Sequence, residues 1–217
     1  MSCCHCQGAQ RVFAGRYVAR NLKRYRRKGP DRTTRMLIDA LAGESVEGAT
    51  LLDIGGGVGV IEYELLNAGA DRAMNVEAAR GYIEAARDEA GRRGLADRVT
   101  IREGDFVEIA DDVESADIVT LDRVICCYPD WEALVTRSLA KSRKIYGVVY
   151  PRSVWWTSIG HRLLNFSLWL TRNPFRVYAH PTVSVDAAIR KAGFVRLHYS
   201  TTMNWQIVVY RRGAGAE

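Results

Sequence analysis

Four acidic side chains close or directly follow short apolar runs: Asp53, Glu77, Asp105 and Asp122. The first opens Leu52-Asp53-Ile54-Gly55-Gly56-Gly57-Val58-Gly59, which has the form D-x-G-x-G-x-G. A glycine-rich turn after a strand lets the backbone come close to a ligand at the strand's C-terminal end. Glu77 lies eighteen residues beyond Gly59, where an acidic group can accept hydrogen bonds from ribose hydroxyls. Gly104-Asp105-Phe106 and Leu121-Asp122 repeat the theme further on. Such a series points to a nucleoside-bearing ligand. Nicotinamide and flavin enzymes share the glycine turn. A nicotinamide site, however, would not call for the acids at 105 and 122, and no residues suited to hydride transfer stand out.

The elements that must hold these groups follow from periodicity. Residues 49–54, 73–76, 99–101, 116–121 and 144–150 read as five strands, and helical stretches alternate with them. That alternation implies an α/β fold with a mostly parallel, Rossmann-like sheet wound on both faces. Residues 195–200 and 205–210 alternate as an antiparallel C-terminal hairpin. Ahead of the sheet, residues 1–9 read as a tail. Residues 9–28 read as one helix, with Phe13, Tyr17, Val18, Leu22 and Tyr25 near one face. Gly29-Pro30 breaks it, and Asp31 can cap a second helix that ends at Gly43. The expected division is residues 1–43 as tail and helical cap, and 44–217 as the ligand-binding domain.

A chain of 217 residues with 47% hydrophobic and 26% charged residues can build one packed domain. No apolar run reaches the length of a membrane span. The first ten residues lack the apolar core of a secretory signal, so a cytoplasmic location is expected. The net charge of +6 is uneven: residues 1–35 hold ten Lys/Arg and one Asp. That basic segment could meet nucleic acid, anionic lipid or an acidic substrate, or be a solvated helix face. The five cysteines, Cys3, Cys4, Cys6, Cys126 and Cys127, are odd in number. They do not read as a disulfide framework.

Together the four acidic positions and the closing hairpin resemble the class I S-adenosylmethionine (SAM)-dependent methyltransferases. By that resemblance Asp53, Gly55, Gly57 and Gly59 hold the methionine end, and Glu77 holds the ribose. Asp105 bonds the adenine amino group, Phe106 packs on the ring, and Leu121 and Asp122 lie beside the sulfonium. The product would be S-adenosylhomocysteine. Tyr17, on the basic helix, could approach the cofactor. The stretch from Leu121 to Phe194 is similar to the magnesium-protoporphyrin O-methyltransferases. The similarity rests on Leu121-Asp122-Arg123-Val124, Tyr128-Pro129, Tyr178-Ala179-His180 and Lys191-Ala192-Gly193-Phe194. Cys127 stands where that family usually has His. The resemblance implies that Tyr128 and His180 line the acceptor pocket with Asp122, His180 as base or carboxylate-orienting donor.

Methyl transfer needs alignment and desolvation more than it needs a base. The loop after residue 121 lacks the Asn/Asp-Pro-Pro-Tyr and Pro-Cys motifs of enzymes that act on nucleobases. A small organic acceptor, methylated at oxygen, is therefore expected, with nucleic acid disfavoured. Two alternatives remain. The cysteines could present a soft metalloid or thiol acceptor, although Cys3-Cys4-His5-Cys6 lacks the paired spacing of a structural zinc site and no metal site is expected. Or the chain could be a non-catalytic protein of this fold that uses its basic arm on RNA or a membrane. Residues 154–170 place Trp155, Ile159, Leu163, Phe166 and Leu170 near helical spacing. They read as core or dimer packing, as a lid, or as an interfacial membrane helix giving peripheral contact.

Overall fold

The computed structural model describes residues 4–44 and 46–214. Its centre is a seven-stranded sheet: β1 Thr50–Ile54, β2 Arg72–Glu77, β3 Val99–Glu103, β4 Ala116–Asp122, β5 Ser142–Pro151, β6 Phe194–Thr201 and β7 Trp205–Arg212. The strand order is β3-β2-β1-β4-β5-β7-β6. β1 to β5 pair in parallel, and β7 runs antiparallel to both β5 and β6. The expected Rossmann-like architecture and its closing hairpin are therefore present. The order reverses between β1 and β4, and the crevice at such a switch point is where ligands bind in open α/β sheets.

Side chains alternate across the sheet because successive residues of a strand point to opposite faces. On β5, Ile145 and Val149 join one core cluster, while Tyr146, Val148 and Tyr150 join the other. Helix α3 (Arg32–Ala42) packs on the first side, with Leu37 and Leu41 completely buried. Its start is fixed as expected: the Asp31 carboxylate accepts from the backbone N–H groups of Thr33 and Thr34, which satisfies two donors of the first turn. Helices α4 (Val60–Asn67) and α5 (Arg80–Arg92) cross over between β1, β2 and β3. The short α6 (Phe106–Ile109), α7 (Trp131–Lys141) and α9 (Thr182–Lys191) complete the alternation, and α8 (Trp155–Leu170) stands between β5 and α9.

The N-terminal segment departs from the expectation. Residues 4–12 form helix α1 (Cys4–Val12), not a tail, and α2 (Arg16–Lys28) is a separate helix. The break falls at Phe13–Gly15, where Gly15 adopts φ 50°. It frees Phe13 to pack on Tyr17, Tyr82 and Phe175. Gly8 lets α1 approach residue 175: a Cβ there would lie 2.3 Å from the Phe175 backbone nitrogen. No helix among the described residues is long and apolar enough to cross a membrane.

α2 is tied down by charge. Glu89 on α5 is fully buried and takes hydrogen bonds from Arg92, Arg93 and, across the helix pair, Arg26. The hydrogen bond from Arg92 and its two companions hold the Glu89 carboxyl down at about 2. A depressed carboxyl stabilises the fold above its ordinary range, near 4.5, and loses that contribution as pH falls through the folded value. Glu89→Gln should cost about 2 kcal/mol at neutral pH, a discounted figure because the arginines are partly exposed. In urea unfolding, the gap between variant and wild type should narrow as pH drops from about 4.5 towards about 2. A gap that stays constant with pH would contradict this account.

Candidate active site

A cavity of about 800 Å³ opens at the C-terminal ends of β1, β2 and β4. The glycine turn, Glu77, Asp105, Phe106, Asp122 and Tyr128 line it, together with Tyr17 of α2 and Cys6 of α1. The turn leaves β1 with Gly55 at φ 69° and Gly57 at φ 60°, and Gly59 at φ 88° caps α4. Side chains rarely adopt this left-handed backbone. A Cβ on Gly55 would also meet Val124 at 2.6 Å.

Glu77 fastens this turn. Its Oε1 accepts from Ala79 N–H at 2.8 Å and its Oε2 from Gly57 N–H at 3.2 Å. Each oxygen keeps a further lone pair for a ligand hydroxyl. Asp53 lies beneath the turn, its Oδ1 accepting from Thr120 at 2.7 Å. Its Oδ2 is buried with no hydrogen-bond partner, as are both carboxyl oxygens of Glu62. Burial pushes the Asp53 carboxyl up to about 8, with Asp122 and Glu77 adding like charge. Burial also raises Glu62, Glu77 and Asp122.

The residues expected on the acceptor side divide. Tyr128 lines the cavity, but its hydroxyl donates to the Asp105 carboxylate, 2.9 and 3.0 Å from the two oxygens. It therefore sits with the residue expected to bond adenine, joined there by the Cys6 thiol at 3.5 Å from Oδ2. Asp122 is held by Thr34 and by Arg123, whose guanidinium also reaches Asp31 at 2.8 Å. This paired group ties the cap of α3 to the end of β4 and is not a free base. His180 is absent from the cavity wall. It stacks on Tyr178, and its Nε2 lies 2.9 Å from the Tyr128 carbonyl, so it positions that segment from behind. Leu121 is completely buried in the core beside the turn and is likewise absent from the wall.

A histidine that periodicity did not single out does reach the cavity. His161 of α8 lines it with Leu164, and its Nδ1 is buried with no partner. Burial, and the neighbouring His180, lower its proton affinity. Only the inward turn of α8 reveals it, and a helical pattern does not show which face is inner. Cys126 and Cys127 also line the cavity, with sulfurs 3.7 Å apart. Cys3 lies outside the described residues, as do the side chains of Cys4 and His5. Among the described residues, no group of three His, Cys, Asp or Glu could hold a metal ion.

A methyltransferase domain family matches residues 52–141. Over 73 residues the chain is 34% identical to ribosomal protein L11 methyltransferase of Enterobacter sp. (strain 638). That alignment covers 34% of this chain and 25% of that protein, so the chain spans about a quarter of the length of the curated relatives it matches. Among solved structures, magnesium protoporphyrin IX methyltransferase from Synechocystis PCC 6803, with SAH bound, superposes with a TM-score of 0.72. Its identity is 16%, over 94% of this chain and 98% of that one. Mitomycin 7-O-methyltransferase is 25% identical over 83% of this chain and 54% of its own, with a TM-score of 0.61. Residues 52–141 match a methyltransferase domain family, and the fold is that of the class I SAM-dependent methyltransferases.

The cavity suits SAM on charge. Buried carboxyl groups with raised proton affinities crowd the turn, and the cations that line the cavity, Arg24 and Arg123, are both paired with Asp31. SAM brings a sulfonium and an ammonium, positive charges that suit a turn crowded by carboxyl groups.

Two outcomes follow. Glu77→Ala should weaken SAM binding by at least about tenfold, since charge-assisted hydrogen bonds carry roughly 1.5–3 kcal/mol; an unchanged Kd in calorimetry would sink the assignment. Because a bound cation favours the ionised form of Asp53, binding near neutral pH should release protons. Affinity should rise as pH climbs towards about 8. Calorimetry in buffers of different ionisation enthalpy reads the proton count, and a count of zero would contradict the charge argument.

Proposed function

We propose that this domain methylates an oxygen atom of a small organic acceptor. The observation that carries the reading is the cavity wall furnished by α1, α8 and the strap after α8. Val12, Leu164, Phe175 and Val177 make it apolar, and His161 stands among them with its Nδ1 buried and without a partner. A pocket with an apolar wall and few polar groups suits a small molecule. Both arginines on the wall are already paired with carboxylates, so no cation is left there to hold a phosphate backbone. That supports the reading against nucleic acid. Mitomycin 7-O-methyltransferase, similar in fold, is named for an oxygen acceptor.

When bound, SAM supplies a methyl group already activated by its sulfonium. The chain's share of the work is then orientation, exclusion of water and a place for the acceptor's proton. α1 and α8 wall the cavity, and Phe13 against Phe175 joins the N-terminal cap to the strap. His161 is the group placed to take the proton: it stands at the wall and its Nδ1 has no protein partner. Tyr128 and Asp105 stay with the nucleoside.

A second reading rests on the adjacent thiols of Cys126 and Cys127, which could hold a soft metalloid acceptor. The bond with Cys127 and its own burial push the Cys126 thiol well up, and a protonated thiol is a poor ligand.

Labelled SAM, given with an extract of cells that make the protein, should deliver label to a small organic molecule. His161→Gln should lower that transfer by about 10²-fold or more with SAM affinity unchanged. Equal transfer by the variant would remove His161 from the reaction. Cys126→Ser with Cys127→Ser should leave transfer within a few-fold; its abolition would favour the metalloid reading.

A further inference from the structure

α8 is built inside out. Its inward stripe is largely polar: Thr157, His161 and Asn165 fall one turn apart. Thr157 donates to the carbonyls of Arg152 and Val154, and His161 lines the cavity. Asn165 exchanges hydrogen bonds of 2.7 and 2.8 Å with the backbone of Val177. The outward side is apolar. Trp155, Leu163, Phe166, Trp169 and Leu170 are each at least 60% exposed. A helix on a water-facing surface normally has the opposite arrangement. Single exposed apolar residues need no explanation, but a contiguous face of large ones marks an interaction site.

The charges around the helix decide what that site takes. No acidic residue occurs between Glu132 and Asp186, whereas Arg152, Arg162, Arg172 and Arg176 flank or punctuate α8. None of these four forms an ion pair among the described residues; Arg152 and Arg176 donate to nearby backbone carbonyls, while Arg162 and Arg172 are exposed. A two-fold contact with a second copy would set arginine against arginine with no carboxylate between. A bilayer bearing negative headgroups matches both features at once. The 16 residues of α8 span about 24 Å, too short to cross a membrane upright but suited to lie in its interface. Tryptophan near each end suits the headgroup level, and the exposed Arg162 and Arg172 can reach out to phosphates.

We propose that α8 seats the protein on an anionic lipid bilayer, its apolar face in the interface and its polar stripe over the cavity. The basic α2 would add long-range attraction, but the apolar face of α8 makes the contact.

The test uses the full chain with vesicles of phosphatidylcholine alone or mixed with phosphatidylserine. Co-sedimentation should show binding to the mixed vesicles at least about tenfold tighter than to the neutral ones. A blue shift of tryptophan fluorescence and quenching by brominated lipid should accompany it. Replacing Leu163, Phe166 and Trp169 together by Ser should weaken vesicle binding by more than about tenfold, with SAM affinity retained as proof of fold. Binding of wild type to neither vesicle would overturn the proposal. So would full binding by the triple variant, which would assign the membrane to the basic α2. A wild-type dimer that the variant dissociates, with no vesicle binding, would assign the face to a second copy. If the variant fails to fold, quenching of the wild type by brominated lipid decides alone, and its absence overturns the proposal.

Discussion

Positive charge must be brought to the buried carboxyl groups at the switch point of the sheet, and much of the molecule is arranged around that need. Asp53 and Glu62 are buried beneath the glycine turn without a cation or a full set of hydrogen bonds. Leaving ionised carboxylates so placed is costly, and such groups normally shift towards the neutral form. A pair of hydrophobic residues would stabilise the empty fold better. Their presence there makes sense if the occupied state is the one that matters. Arg123 would spoil this by supplying a permanent cation, but Asp31, Asp122 and Thr34 absorb it at the edge of the cavity.

How far this was legible in the sequence differs between the two ends of the cavity. Asp53, Glu77 and Asp105 could be read because each is fixed by local geometry: a strand ends, the chain turns, and the next side chain faces the crevice. The strands themselves were legible because five buried parallel or near-central segments are short apolar runs. The acceptor end has no such rule. Its wall comes from α1, α8 and the strap through Val177, which meet only in three dimensions. His161 could not be read for that reason, and a motif does not say which side of a backbone His180 supports: its Nε2 meets the Tyr128 carbonyl. Tyr128 shows the same limit in reverse. It follows the loop after β4 as expected, yet its hydroxyl meets Asp105, a residue of a different loop.

The N-terminal helices show why a strong amphipathic pattern can still mislead on boundaries. Residues 9–28 carry aromatic groups near one face, and a single helix would satisfy that pattern. The structure instead breaks at Phe13–Gly15, because Phe13 packs where Tyr82 and Phe175 converge. Tertiary packing overrode local periodicity, and a glycine at the break let it do so at little conformational cost. Gly8 then serves the same contact from the other side. The result is a cap joined to the strap after α8, so two walls of the cavity bear on each other.

That joint gives α8 its particular place in the molecule. The helix has to present polar groups inward, because Asn165 holds the strap and His161 faces the cavity. A helix with polar groups on its inner side cannot bury its apolar side against its own domain. The apolar side therefore has to find a surface outside, and the run of arginines without acids restricts which surface that can be. Cavity, strap and outer face are thus linked through one helix: whatever rests on the outer face bears directly on the wall that holds His161, and through Phe175 on the cap as well.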